Sequence, residues 1–228
     1  PDVSSAASDV YKRQLNNLLG GKGANLAEMS NMKIPVPPGF TITTEVCNYF
    51  TENNKLPDNL DNEIRKAVKN LESLSDKSFG GEGTPLLLSV RSGGRVSMPG
   101  MMDSVLNIGL NDSNVFQLAE AFNDERFALD SYRRLIQMYS NVVLGVEHER
   151  FEAVLANKKR MDNVVSDADF NVDQLNWIIN AYKNTVERFT DSLFPQDPYE
   201  QLTGAIEAVF NSWQNKRAVI CLLYTSDA

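Results

Sequence analysis

Two stretches of this 228-residue chain set cations among glycines. In the longer one, Leu86 to Leu110 (LLLSVRSGGRVSMPGMMDSVLNIGL), the apolar run from Leu86 to Val90 reads as a strand covered on both faces. Arg91 stands at its carboxyl end, where open α/β sheets present ligands. Ser92, Gly93 and Gly94 break regular structure, Arg95 adds a second cation, and Pro99-Gly100 makes another turn. Backbone N–H groups held by glycines beside a guanidinium form a cradle for phosphate. The competing reading is a sheet-to-helix connection with two solvated arginines. In the shorter stretch, GGKG at Gly20 to Gly23, Lys22 sits at the mouth of a helix, where free N–H groups and the helix dipole favour anions. This is not a Walker A loop, because the GxxxxGK[ST] spacing is absent and a glycine follows the lysine. A glycine turn with an exposed lysine is the alternative.

The elements that must position these residues follow from periodicity. Lys22 to Met29 reads as a short helix entered through glycines and ended by Pro35, Pro37 and Pro38. Gly39 to Thr44 alternates Phe40 and Ile42 with threonines, the pattern of a half-buried strand. Asn59 to Leu74 carries Leu60, Ile64, Val68, Leu71 and Leu74 at helical spacing, and SDKSFGGEGTP is a loop into the Leu86 strand. From about Asn111 the pattern is nearly all helix. Arg126 to Val143 and Asn171 to Phe189 are amphipathic, the second with Asn171 as cap and Gln174 three residues on. Asp197-Pro198 with Glu200 starts a further helix burying Leu202, Ile206, Val209, Phe210 and Trp213, and Arg217 to Ile220 begins a returning strand. The fold class expected is α+β.

Composition narrows the function classes. A net charge of −8 argues against a general nucleic-acid or anionic-membrane binder. No apolar run approaches the ~20 residues of a membrane helix. Cys47 and Cys221 match no metal or redox spacing and suit a reducing, cytoplasmic setting. The sole histidine, His148, lies in a charged helical stretch and reads as an ordinary surface residue. Arg133 and Arg134 are read as a solvated helix face rather than a docking pair. No metal site is expected from the residues themselves, and Asp103, an isolated carboxylate, is a poor magnesium ligand.

Leu86 to Leu110 resembles part of the amino-terminal nucleotide-binding domain of the pyruvate, phosphate dikinase family. So do LLGGKGANLAEMS (Leu18 to Ser30), PVPPGFTITT (Pro35 to Thr44), DERFALDSYRRLIQMYSNVV (Asp124 to Val143) and FNSWQNKRAV (Phe210 to Val219). The likeness spans roughly Leu15 to Ile220, and SMPGMMDSVLNIGLN is its discriminating wording. The resemblance implies an ATP-grasp-like nucleotide-binding subdomain, first lobe only, over 15–110 plus 198–220, with a helical insert over 111–197. Residues 1–14 and 221–228 resemble no part of the family and read as adapter-derived tails, the first replacing an opening strand. The resemblance further implies that Lys22 and Arg91 bind the ATP phosphates. Gly100, Met101, Met102, Asp103 and Ser104 would form a loop closing over the terminal phosphates, with Arg95 a possible phosphate or structural partner.

The family reaction turns ATP, phosphate and pyruvate into AMP, pyrophosphate and phosphoenolpyruvate, by way of a histidine in a separate domain. Magnesium would accompany ATP, held by ligands in a missing carboxyl-terminal lobe. Phosphohistidine and pyruvate-binding domains would be partners within a homodimeric full-length enzyme, and the present piece alone is expected to be inactive. A phosphoenolpyruvate synthase-type enzyme and a non-catalytic nucleotide-binding fragment are the alternatives.

Overall fold

A computed structural model of the chain describes residues 3–92 and 104–213, with 3–16 described by backbone alone. It forms two compact units. One is built from the described residues of Pro1–Ser75, Arg91–Asp103 and Val209–Ala228, the other from those of Asp76–Val90 and Ser104–Ala208. The content is mostly helical with one two-stranded sheet, which fits α+β.

The first unit opens with α1 (Val3–Asn31), whose backbone leaves helical geometry at Gly20. It is followed by α2 (Thr44–Asn53) and α3 (Leu60–Ser75). The α3 stripe is buried at Leu60, Ile64, Val68 and Leu71, one face of a 3.6-residue period. Leu74, one turn further, is 66% exposed, because the stripe outruns the packed core. Phe50 of α2 meets Phe210 with ring centroids 5.5 Å apart. The strand expected over Gly39 to Thr44 does not form. Thr43 is extended (φ −71°, ψ 160°), but Thr44 already begins α2, and the segment has no ladder partner among the described residues. Alternating side chains make a strand only where a neighbour accepts the backbone bonds.

In the second unit β1 (Leu88–Arg91) pairs with β2 (Ser104–Ile108); β1's last residue, Arg91, counts with the first unit. The strand is not covered on both faces as the apolar run implied: Ser89 and Arg91 are exposed while Leu88 and Val90 are half-buried. Ser104, expected as the end of a loop, opens the second strand, Ser104–Ile108, with Val105 and Ile108 buried. Then come α4 (Val115–Phe122), α5 (Glu125–Val142), α6 (His148–Asp162), a 3-10 turn at Asp167–Asp169, α7 (Val172–Thr190) and α8 (Pro198–Ser212). Residues Arg217 to Ile220 lie outside the described residues.

Local chemistry fixes the helix ends. Asn171 and Gln174 form the expected capping box, each side chain bonded to the other's backbone N–H at 2.9 Å. Asp124 accepts from Phe127 N–H at 2.8 Å, and Asp197 from Tyr199 N–H at 2.7 Å just ahead of Pro198. Asn54, Asn123, Asn163 and Asp191 end α2, α4, α6 and α7 in the left-handed conformation that short polar side chains tolerate.

Helix α5 is the hub of the second unit, packing on α4, α6, α7 and β2. Ala128, Tyr132, Leu135, Ile136 and Tyr139 are buried along it, against a core that includes Ile108, Leu118, Phe151, Leu175, Ile178 and Tyr182. This covers one face of the sheet and explains the one-sided burial of β1. Among the described residues no helix is long and apolar enough to cross a membrane.

One polar residue ties β2 to α8. Gln201, fully buried, accepts the Gly109 N–H at 2.9 Å and donates to the carbonyls of Leu110 at 3.0 Å and Pro195 at 2.8 Å. Replacing it with leucine strands three backbone groups, those of Gly109 and Leu110 buried and that of Pro195 half-buried, at about 1–3 kcal/mol for each buried one. We expect Gln201→Leu to lower unfolding free energy by at least about 3 kcal/mol in urea titration. A loss under about 1 kcal/mol would show that the amide is dispensable.

Candidate functional site

The lysine motif folds as a break and a restart. Gly20 adopts φ 69°, ψ 168°, a region essentially confined to glycine, and helical backbone resumes at Gly21. Lys22 therefore stands in the first turn of a new helical run, not at the entry of an isolated short helix. The first N–H groups of such a run have no carbonyl four residues back to bond, and their dipoles favour an anion. Lys22 is exposed, and among the described residues its ammonium pairs with no carboxylate.

Arg91 is exposed at the carboxyl end of β1, in the same compact unit as Lys22. It too has no carboxylate partner among the described residues, so the strand-end ion pair considered from sequence is not formed there. Other cations are engaged: Lys55 with Asp58, Arg65 with Asp61, Arg150 with Glu147, Lys158 with Asp162 and Lys183 with Asp112. Lys33, Lys66, Lys69 and Lys77 are likewise exposed and outside these pairs, so what sets Lys22 and Arg91 apart is position, one in the first turn of a restarted helix and the other at a strand end. Ser104 is half-buried at the start of β2. Arg95, Gly100, Met101, Met102 and Asp103 lie outside the described residues.

Arg133 corrects a sequence expectation. It is buried, not part of a solvated face, with its side chain only 3% exposed. It bonds to Asp130 at 2.8 Å, approaches Asp167 at 3.7 Å, and donates to Gln137 at 3.3 Å. Arg134, exposed, shares Asp130 at 2.8 Å. The helical period places positions 128, 132, 135, 136 and 139 inward, and 133 follows 136 and 129 onto the flank of that stripe. A charge is held there because a carboxylate one turn away accompanies it. His148 heads α6, exposed, with Nε2 3.4 Å from Glu152. Burial pushes the half-buried Cys47 thiol above its ordinary value, away from thiolate chemistry. No three histidine, cysteine or acidic side chains converge among the described residues, so these do not fit a dedicated magnesium cage.

An exposed ammonium in a restarted helix and an exposed guanidinium at a strand end are the two groups on which a phosphate-binding reading rests. The family comparison agrees. The model for the pyruvate phosphate dikinase AMP/ATP-binding domain matches residues 16–80 and 53–224, and the chain belongs to this family. Among individual relatives, it is 49% identical over 207 residues to the pyruvate, phosphate dikinase of Rickettsia conorii, covering 90% of this chain and 24% of that one. The enzymes of the same name from Rhizobium meliloti (50% over 202 residues, 88% and 22%) and Clostridium symbiosum (46% over 218 residues, 92% and 25%) are similar. The chain thus spans about a quarter of the length of the relatives it matches.

Two outcomes are expected from this geometry. Gly20→Ala places a Cβ in a glycine-only region and should cost about 1–3 kcal/mol, read by denaturant unfolding. Asp130 supplies a pH test. Burial works to raise its carboxyl pKa, but hydrogen bonds and charge from Arg133 and Arg134 outweigh burial and hold it below the usual value. A depressed native pKa adds stability that is present above the unfolded value, about 3.9, and lost as pH falls through the native one. Asp130→Asn should therefore flatten the acid limb of the stability–pH curve below about pH 4 while lowering stability at pH 7. An unchanged acid limb would contradict the assignment.

Proposed function

We propose that this chain is the ATP-binding part of a pyruvate, phosphate dikinase, in which Lys22 and Arg91 grip the ATP phosphates. The observation that carries the reading is Lys22, exposed and unpaired in the first turn after the Gly20 break. An ammonium beside free helix N–H groups suits a phosphate oxygen, and a guanidinium grips two such oxygens at once. Gly100, Met101, Met102, Asp103 and Ser104 are proposed to close over the terminal phosphates, with Arg95 as a further phosphate or structural partner. Phosphoryl transfer depends on positioning and charge neutralisation, which these groups supply without covalent chemistry of their own.

In this reading the β,γ-phosphates pass to a histidine in another domain of a longer, homodimeric cytoplasmic enzyme, where inorganic phosphate takes the terminal phosphoryl group as pyrophosphate and pyruvate takes the other, with magnesium accompanying ATP. Within these 228 residues the one histidine is His148, exposed and beside Glu152, which supports acceptance by a group elsewhere. The nucleotide subdomain is proposed to be ATP-grasp-like over 15–110 plus 198–220, with 111–197 as its helical insert.

Calorimetric titration with ATP in magnesium buffer tests the reading. Lys22→Ala and Arg91→Ala should each weaken binding by about tenfold or more, the scale of a lost charge-assisted hydrogen bond. Affinity indifferent to both substitutions would sink the proposal. The purified chain should form no phosphoenolpyruvate from pyruvate, ATP and inorganic phosphate in a coupled assay; product would show a complete catalytic centre.

A further inference from the structure

A lysine placed by a glycine pivot needs something else to fix its angle, because glycine itself resists rotation least of all residues. The first unit supplies that restraint from the segment Thr41 to Thr44, on both sides of the pivot. On the near side, the Thr44 hydroxyl donates to the Asn17 carbonyl at 2.6 Å, twenty-seven residues away in sequence. Asn17 lies three residues before Gly20, in the last turn of the first helical run, where carbonyls have no intrahelical partner. On the far side, Gly23 lies three residues after the pivot. A Cβ placed there would meet Thr41 Cγ2 at 3.1 Å, Thr41 Oγ1 at 3.2 Å and Leu19 Cβ at 3.1 Å. The missing side chain is what lets Thr41 close against the restarted helix. Thr43, the cap residue of α2, makes no side-chain cap bond, whereas the Thr44 hydroxyl beside it bonds to the elbow.

We infer that Thr41 and Thr44 are positioning residues that clamp the Asn17–Gly23 elbow and so fix where the Lys22 ammonium is presented. The inference rests on the reading of Lys22 as a phosphate ligand. Neither threonine is assigned contact with nucleotide; both act through the lysine. A displacement of about 1 Å in a charged ligand is enough to degrade binding, so loss of the clamp has an effect beyond the stability of α1 against α2.

The test is a cycle of ATP titrations in magnesium buffer on the whole chain. Thr44→Val keeps the volume and removes the donor, and should weaken binding about fivefold, the equivalent of one hydrogen bond. Thr44→Ser restores the donor and should bind within about twofold of the unsubstituted chain. In a Lys22→Ala background, Thr44→Val should have no further effect, which a general loosening of the unit would not produce. Gly23→Ala presses on Thr41 from the opposite side and should weaken binding in the same Lys22-dependent manner, giving a second probe should Thr44→Val fail to fold by circular dichroism. Equal losses in both backgrounds, or unchanged affinity in Thr44→Val, overturn the clamp while leaving Lys22 as a ligand. An unsubstituted chain that binds no ATP overturns the reading of Lys22, and the clamp with it.

Discussion

At Gly20 the backbone takes a combination of torsions that any side chain would oppose, and the arrangement of the amino-terminal unit follows from it. A continuous helix would satisfy every N–H around Lys22 with a carbonyl one turn back. The break opens a fresh helix end, where the first N–H groups of a helical run lack a carbonyl one turn back, and Lys22 stands in that turn. In the proposed reading the glycine makes an anion site out of backbone that would otherwise be saturated. It also introduces a soft joint, and the threonine segment after the prolines is where that joint is stiffened.

The second unit is organised differently, around buried side chains rather than a backbone exception. Helix α5 contributes an apolar stripe and, on its flank, an arginine whose charge is met by Asp130 and Asp167. Tyr132, on the same helix, donates to Asp112 at 2.9 Å, and Asp112 in turn holds Lys183 of α7 at 2.8 Å. These bonds link α5 to the loop after β2 and to α7, giving the apolar core a defined register. Such polar ties contribute little net free energy when complete and cost heavily when half-made.

Much of this was legible in the residues. The α3, α5, α7 and α8 stripes, the Asn171–Gln174 box and the Asp197-Pro198 start are local signals, decided within a few residues of where they act. Non-local features were not. Phe40 and Ile42 alternate as a strand does, yet whether a strand forms depends on a partner the alternation does not encode. Leu86 to Val90 looked doubly buried because apolar content cannot tell a central strand from one of a pair with helices on one face. Arg133 looked solvated because its burial depends on distant segments packing over the flank of α5; Asp130, one turn back, neutralises it at 2.8 Å, and Asp167, 34 positions away in sequence, adds a second carboxylate at 3.7 Å. At the candidate site, GGKG announced a turn and a cation. The handedness of the turn and the threonine hydroxyl closing on it depend on long-range contacts that no motif spells out.

The buried guanidinium on α5 also limits how this lineage can drift. Substituting Arg133 alone leaves Asp130 with Arg134 and Asp167 with Lys159, whereas substituting Asp130 alone leaves the buried guanidinium with only the Asp167 carboxylate, 3.7 Å away; the second intermediate is the costlier. Loss of Arg133 is therefore expected to precede or accompany loss of Asp130. Across distant relatives, positions 130 and 133 should carry a correlated evolutionary record even though neither touches nucleotide in the proposed reading.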